Sequence, residues 1–220
     1  MNRSTYLVFA IIFLFVGFVG VAVYVKNKTV DGGPLPTLTL DVSDWTKGTN
    51  TGVVLLEYGD FQCPACGQYY PIVSDLLKEV GPSITFAFRH LPLNQHKNAI
   101  PAALASEAAG KQGKFWDMYH VLYVNQSDWS ELSDPTEIFK TYAKNLSLDL
   151  TRFETDSKDP AIKSKITASY KAGIKLGVEG TPSFFLNGVK IKSPGSLEEF
   201  KLVVKEAIAK QKTTTSTVVQ

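Results

Sequence analysis

Only two cysteines occur in the 220 residues, and they stand together as Cys63-Pro64-Ala65-Cys66. A C-x-x-C between an apolar β-run and a helix confines the chain to folds that set a strand end against a helix N-terminus. The run before it, Val53-Val54-Leu55-Leu56-Glu57-Tyr58, is short, β-branched and apolar, as a buried strand should be. After it, the apolar residues Tyr69, Ile72, Val73, Leu76 and Leu77 fall on one helical face. Cys63 is therefore expected at the helix N-terminus, with Pro64 near the first helical position, where its missing N–H costs nothing.

That placement has chemical consequences. Unpaired N–H groups and the positive end of the helix dipole favour a thiolate over a thiol, and a cysteine so placed can titrate at roughly 3.5–7.5 instead of ~8.5. A stabilised Cys63 thiolate leaves readily, so a Cys63–Cys66 disulfide is open to attack, with Cys66 as the resolving partner one turn further in. A purely structural disulfide is the first alternative. Closing so short a ring stabilises by only about 2 kcal/mol, against about 4.7 for a 100-residue loop. Half of a zinc site is the second. Zinc takes four ligands, there is no other cysteine pair, and His90, His96 and His120 do not form a finger-like spacing.

Three separated features resemble the thioredoxin superfamily, and within it the DsbA-like thiol:disulfide oxidoreductases. They are the segment from Glu57 into Cys63-Pro64-Ala65-Cys66, Pro71 within the following helix, and Gly180-Thr181-Pro182-Ser183-Phe184. The resemblance implies a thioredoxin fold, a central mixed sheet flanked by helices. It makes Thr181-Pro182 a cis-proline loop facing the cysteines, which offers Thr181 backbone groups to an extended substrate segment. Taken alone, Gly180-Thr181-Pro182 is an ordinary turn before a strand. The resemblance also places a buried acid at Glu57, which helps to move the proton of the buried cysteine. Burial raises a carboxyl pKa, which suits a relay. An alternating strand would instead point Glu57 outward. One departure stands out: Pro64-Ala65 lacks the histidine that helps stabilise the thiolate in strongly oxidising relatives, leaving the helix terminus as the main stabiliser.

Outside the motif, Tyr6 to Val25 are twenty consecutive uncharged, mostly apolar residues, long enough to cross a bilayer. They are read as an uncleaved transmembrane anchor after a 1–5 flank, with a faint cleavage-site match at Gly20-Val21-Ala22 as the alternative. Residues 26–36 form a polar, Gly/Pro-containing tether, residues 37–211 the globular domain, and residues 212–220 a disordered tail. The domain's about 175 residues exceed the ~100 of a small domain. The surplus lies in a helical pattern over about 98–176, between a second strand at 83–89 and strands at 183–186 and 189–191. A final helix is expected over 196–210. A helical insertion in a thioredoxin fold is the DsbA-like arrangement. Phe115, Trp116 and Tyr119 fit either a groove near the cysteines or the core, and His90 and His96 either active-site tuning or structural hydrogen bonds. The net charge of +2 carries no nucleic-acid signal.

The resemblance thus implies a membrane-tethered, extracytoplasmic, bacterial enzyme that introduces disulfides into secreted or envelope proteins, using no cofactor or metal. Its reoxidant would be a quinone-linked membrane protein. A reductase or isomerase of the same fold, a non-catalytic envelope chaperone and a copper carrier are the alternatives.

Overall fold

The computed structural model describes residues 38–49 and 52–218. The expected anchor at Tyr6–Val25 and the tether after it lie outside the described residues. Among those described, no helix is long and apolar enough to cross a membrane.

Five strands form one sheet in the order β1-β3-β2-β4-β5, namely β1 (Trp45–Gly48), β2 (Val54–Gly59), β3 (Thr85–His90), β4 (Ser183–Leu186) and β5 (Val189–Ile191). Only the β2–β3 pair is parallel, so the sheet is mixed. The parallel pair requires a crossover, and α1 (Pro64–Val80) supplies it. Between β3 and β4 run six helices: α2 (Ala99–Gly110), α3 (Phe115–Val124), α4 (Gln126–Trp129), α5 (Thr136–Asn145), α6 (Leu150–Asp156) and α7 (Pro160–Lys175). Asp149 and Asp159 cap α6 and α7, accepting from the Arg152 and Ala161 amides at 3.0 and 2.8 Å. The chain closes with α8 (Leu197–Val218).

Alternation along the strands sorts the core. Leu55, Phe86 and Phe184 pack with Val73, Leu76, Phe200 and Val204 on the α1/α8 face. Leu56, Tyr58, Ala87 and Phe185 pack with Tyr170 and Leu176, from α7 and the residue after it, on the other. A third cluster, including Trp129, Phe139 and Phe153, fills the helical insertion and reaches both cysteines. Because helices cover both faces, β2 is buried along nearly its whole length. An alternating strand with one solvated face, the setting in which Glu57 would point outward, does not occur here: Glu57 is 2% exposed.

One strand has no counterpart in the sequence reading, and one expectation is corrected. β1 carried no clear signal, since three of its four residues are exposed and it holds only one large apolar side chain, Trp45. The disordered tail expected from Lys212 is helical to Val218. A helix already nucleated gains one backbone bond per added residue, and the Thr213 hydroxyl donates to the Ala209 carbonyl at 3.1 Å.

Candidate active site

β2 ends at Gly59, and three residues of tight turn deliver the chain to Cys63 as the N-cap of α1. The Cys63 amide donates to the Asp60 carbonyl at 3.1 Å, and the Gln62 amide to Asp60 Oδ1 at 2.8 Å. Asp60, itself buried, also accepts from the Leu93 amide (2.9 Å) and pairs with His96 Nδ1 (2.7 Å). Pro64 takes the first helical turn, no acidic residue follows in that turn, and no side chain caps the N-terminus. The amides that a capping oxygen would have taken are left for the Cys63 sulfur.

Both cysteines are free thiols, buried at 6% and 1% exposure. Their environments differ sharply. The Cys63 thiol is pulled down to about 5, first by a hydrogen bond from Cys66, then by Thr181 and by the Cys66 and Ala65 amides, against the opposing effect of burial. Burial pushes the Cys66 thiol well up, and the neighbouring Cys63 and Glu57 push it further. Glu57 is likewise raised to about 8 by burial, a rise opposed by a hydrogen bond from the Tyr119 hydroxyl (3.3 Å to Oε2), reinforced by Cys63 and opposed by Lys47. At neutral pH the site therefore holds a thiolate at its mouth and a protonated carboxyl beside a protonated thiol inside.

Across the mouth lies the loop before β4. The Thr181–Pro182 peptide bond is cis, and the Cys63 sulfur lies 3.4 Å from the Thr181 carbonyl, to which it donates only in its protonated form. The Thr181 hydroxyl is buried without a hydrogen-bond partner among the described residues, and its nearness to the Cys63 sulfur favours the ionised form. Pro64 is exposed and Ala65 half-buried, so the dipeptide forms the rim. The structure thus gathers Glu57, Cys63, Pro64, Ala65, Cys66, Thr181 and Pro182 into one site. Phe115 and Tyr119 are core, while half-buried Trp116 lies under the Lys47 ammonium, 4.8 Å from its ring centre. His90 pairs with buried Glu107 at 3.0 Å, a structural contact shared with Lys165 and Trp45.

Several residues that hold the site were not legible from sequence. Gln126, at the start of α4, donates through Nε2 to the Phe61 and Cys63 carbonyls at 2.7 and 2.9 Å. Gln62 donates to the Ser130 carbonyl at 2.6 Å and accepts from the Asn98 amide at 2.5 Å. Asn98 Nδ2 in turn bonds the carbonyls of Trp129, Ser130 and Leu132. The insertion is thereby stitched to the active-site turn through amide side chains. Tyr119 and Tyr123 of α3 close the interior behind Cys66. Among the described residues, no cluster of His, Cys, Asp and Glu could hold a metal ion.

The thioredoxin family model matches residues 48–206 of this chain. Among solved structures, α-DsbA1 of Wolbachia pipientis superposes with a TM-score of 0.70 at 23% identity, over 80% of this chain and 96% of that one. BdbD of Bacillus subtilis, in its oxidised form, superposes at 0.66 and 22% identity, over 74% of this chain and 92% of that one. These likenesses show the fold. Among curated proteins, a stretch of the Na(+)/H(+) antiporter NhaA 3 of Salinispora tropica is 38% identical over 158 residues. The match takes in 71% of this chain and 23% of that protein. NhaA 1 of Mycolicibacterium vanbaalenii is 34% identical over 147 residues, 64% of this chain and 23% of its own length. The chain thus spans about a quarter of the length of the curated relatives it matches.

Proposed function

The chain belongs to the thioredoxin family, and from that membership we propose that it is a thiol–disulfide oxidoreductase working through Cys63 and Cys66, in the direction that gives disulfides to substrate proteins. One observation carries the reading: two thiols three residues apart are held in opposite protonation states, Cys63 near 5 and Cys66 well above 9. A thiol that is stabilised as its thiolate favours the reduced enzyme, so the disulfide is the less stable form and tends to be passed on.

The steps follow. A substrate thiolate attacks the Cys63 sulfur of the oxidised pair. The Cys63–Cys66 bond breaks, Cys66 leaves as a thiolate, and Glu57, protonated at neutral pH, supplies the proton that makes it a thiol. A second substrate thiolate then attacks the substrate's own sulfur in the mixed disulfide and releases Cys63 as its stabilised thiolate. The substrate leaves with a disulfide, and the enzyme is left as the dithiol. The Thr181-Pro182 loop, set against the Cys63 sulfur, is positioned to pair with an extended substrate segment.

Secreted or envelope proteins are the proposed substrates, since exposed dithiol oxidation belongs in an oxidising compartment. The apolar run Tyr6–Val25 supports a tether that holds the domain outside the membrane. A tethered enzyme would meet a membrane-bound, quinone-linked reoxidant at raised effective concentration. Equilibration of the protein in graded glutathione buffers measures the Cys63–Cys66 potential. A value well above the about −270 mV of thioredoxin is expected, and a value at or below it would reverse the direction.

A further inference from the structure

The steps above create a negative charge in an unusual place. When the Cys63–Cys66 bond breaks, the electron pair goes to Cys66, which is 1% exposed and surrounded by apolar and aromatic side chains. A buried anion is costly, and the one backbone bond that favours it, from Asp60, is outweighed by burial, which pushes the Cys66 thiol well up.

Tyr123 is a candidate for a second donor. Its side chain is buried at 4% exposure, and its hydroxyl finds no hydrogen-bond partner among the described residues. A buried hydroxyl left without a partner destabilises the resting fold and calls for an explanation. Here the packing gives one. The ring is held between Phe61, two residues before Cys63 (centroids 5.0 Å apart), and Tyr70, one helical turn past Cys66 (5.4 Å), with Tyr119 edge-on at 4.9 Å. Those contacts straddle the Cys63–Cys66 turn and fix the ring beside it, in the same buried cluster as both cysteines. The titratable groups acting on it are Cys66 first, then Glu57, Tyr119 and Asp60. Tyr119 is the contrast: its hydroxyl is already committed to Glu57.

We propose that Tyr123 is a positioning residue of the exchange step, its unpartnered hydroxyl being the donor held for the Cys66 sulfur as the Cys63–Cys66 bond breaks. The inference rests on the redox reading but not on its direction. The bond that breaks is the disulfide, its electron pair moves to Cys66, the Tyr123 O–H hydrogen-bonds the nascent thiolate, and the proton comes from Glu57. In the reverse direction the same hydroxyl serves Cys66 as it ionises to attack. A donor engaged only while charge is present lowers the barrier without stabilising either resting state.

Rapid-quench alkylation on the full-length protein tests this. The readouts are the rate at which dithiothreitol reduces the oxidised pair, the rate at which oxidised glutathione re-forms it, and the potential. Tyr123→Phe is expected to slow both rates about tenfold to a hundredfold, the worth of one hydrogen bond to a charged group, with the potential at neutral pH unchanged. Tyr142→Phe is the control, because Tyr142 also carries a buried, unpartnered hydroxyl but acts with Asp128 and not with the cysteines. It should leave both rates as they are. Rates within twofold of wild type in Tyr123→Phe, or an equal loss in Tyr142→Phe, overturn the proposal. If Tyr123→Phe does not fold, 2,3-difluorotyrosine at position 123 keeps the donor and strengthens it. Rates at or above wild type are then expected, and a loss counts against the idea. A wild-type protein that forms no Cys63–Cys66 disulfide overturns the redox reading and this proposal together, whereas normal wild-type exchange with an unaffected Tyr123→Phe overturns this proposal alone.

Discussion

Cys63 and Cys66 are separated by one turn of α1, yet the molecule treats them as different chemical elements. The mouth around Cys63 is built of backbone: uncapped amides of the first helical turn, the Thr181 carbonyl and a threonine hydroxyl. The interior around Cys66 is built of side chains, with Glu57 from β2, Tyr119 and Tyr123 from α3, and Phe61 and Phe88 over them. A hydrogen bond from Cys66, then Thr181 and the first-turn amides, lower one thiol, and burial raises the other. The contrast teaches that hydrogen bonds at one sulfur and burial at the other can polarise a redox pair. The causes that lower Cys63 are hydrogen bonds from Cys66, Thr181 and the Cys66 and Ala65 amides, and the dipeptide Pro64-Ala65 adds no polar side chain.

The sharpest way to break the comparison is to remove the mouth sulfur. Cys63→Ser should reduce dithiol oxidation to background in any assay of disulfide formation in a reduced substrate protein, while Cys66→Ser should instead trap a mixed disulfide through Cys63. If Cys63→Ser kept its activity, the assignment of the two sulfurs would be wrong.

Glu57→Gln tests the interior next. Positioned proton transfer is worth roughly 10²–10⁴ in rate, so reduction of the oxidised enzyme should slow by at least about a hundredfold. The same variant has a thermodynamic signature whose sign is fixed. The folded-state pKa of Glu57 is raised from 4.5 to about 8, so between those values the folded protein holds a proton that the unfolded chain has lost. Stability must then fall with rising pH across that window, by up to ~1.4 kcal/mol per pH unit, and level off above it. Subtracting the Glu57→Gln curve from that of wild type should expose this slope in denaturant titrations between pH 5 and pH 8. A flat difference would mean that Glu57 is not buried as a neutral acid.

The two halves of the site were unequally legible in the sequence, for a physical reason. The mouth is local: strand, C-P-x-C and amphipathic helix are contiguous, and the loop at Thr181-Pro182 has its own short motif. β2, β3, β4 and the helical span between β3 and β4 carry periodicities that their burial requires, and so they could be placed. The interior is assembled from residues about 60 positions apart, such as Glu57 with Tyr119 and Cys63 with Gln126. Nothing in the phase of α3 distinguishes a tyrosine that only packs from one whose hydroxyl bonds a carboxyl, as Tyr119 does to Glu57. β1 was missed because an edge strand with exposed Thr46 and Lys47 offers no alternation, and the tail because threonine-rich sequence is a weak helix former whose helicity here extends an existing helix.

Thr181→Val sharpens the mouth. It keeps the shape of the side chain and the cis-proline loop while deleting the hydroxyl, so the Cys63 titration followed by thiolate absorbance should move upward from about 5. Because the helix-terminus amides remain, the shift should be a minority of the total depression. The reduction potential should fall in step, since a less stable thiolate makes the disulfide less oxidising. An unchanged titration would assign the whole effect to Cys66 and the backbone.

Gln126→Ala carries the smallest expected effect and asks whether mouth and interior are coupled through the insertion. Gln126 reaches from α4 to the Phe61 and Cys63 carbonyls, and its amide sits so close to Gly67 that an ideal Cβ there would lie 2.5 Å from Oε1. Its two bonds hold the turn without touching either sulfur. Their loss should cost about 1–3 kcal/mol of stability in urea unfolding, at roughly 0.5–1.5 kcal/mol per bond. The Cys63 titration should stay within a few tenths of a unit of wild type, because the amides that favour the thiolate belong to α1 itself. If the Cys63 pKa instead rose as far as in Thr181→Val, the helix N-terminus would depend on the insertion for its aim. The polarity of the pair would then be a property of the joint between the two parts of the fold, and not of the turn alone.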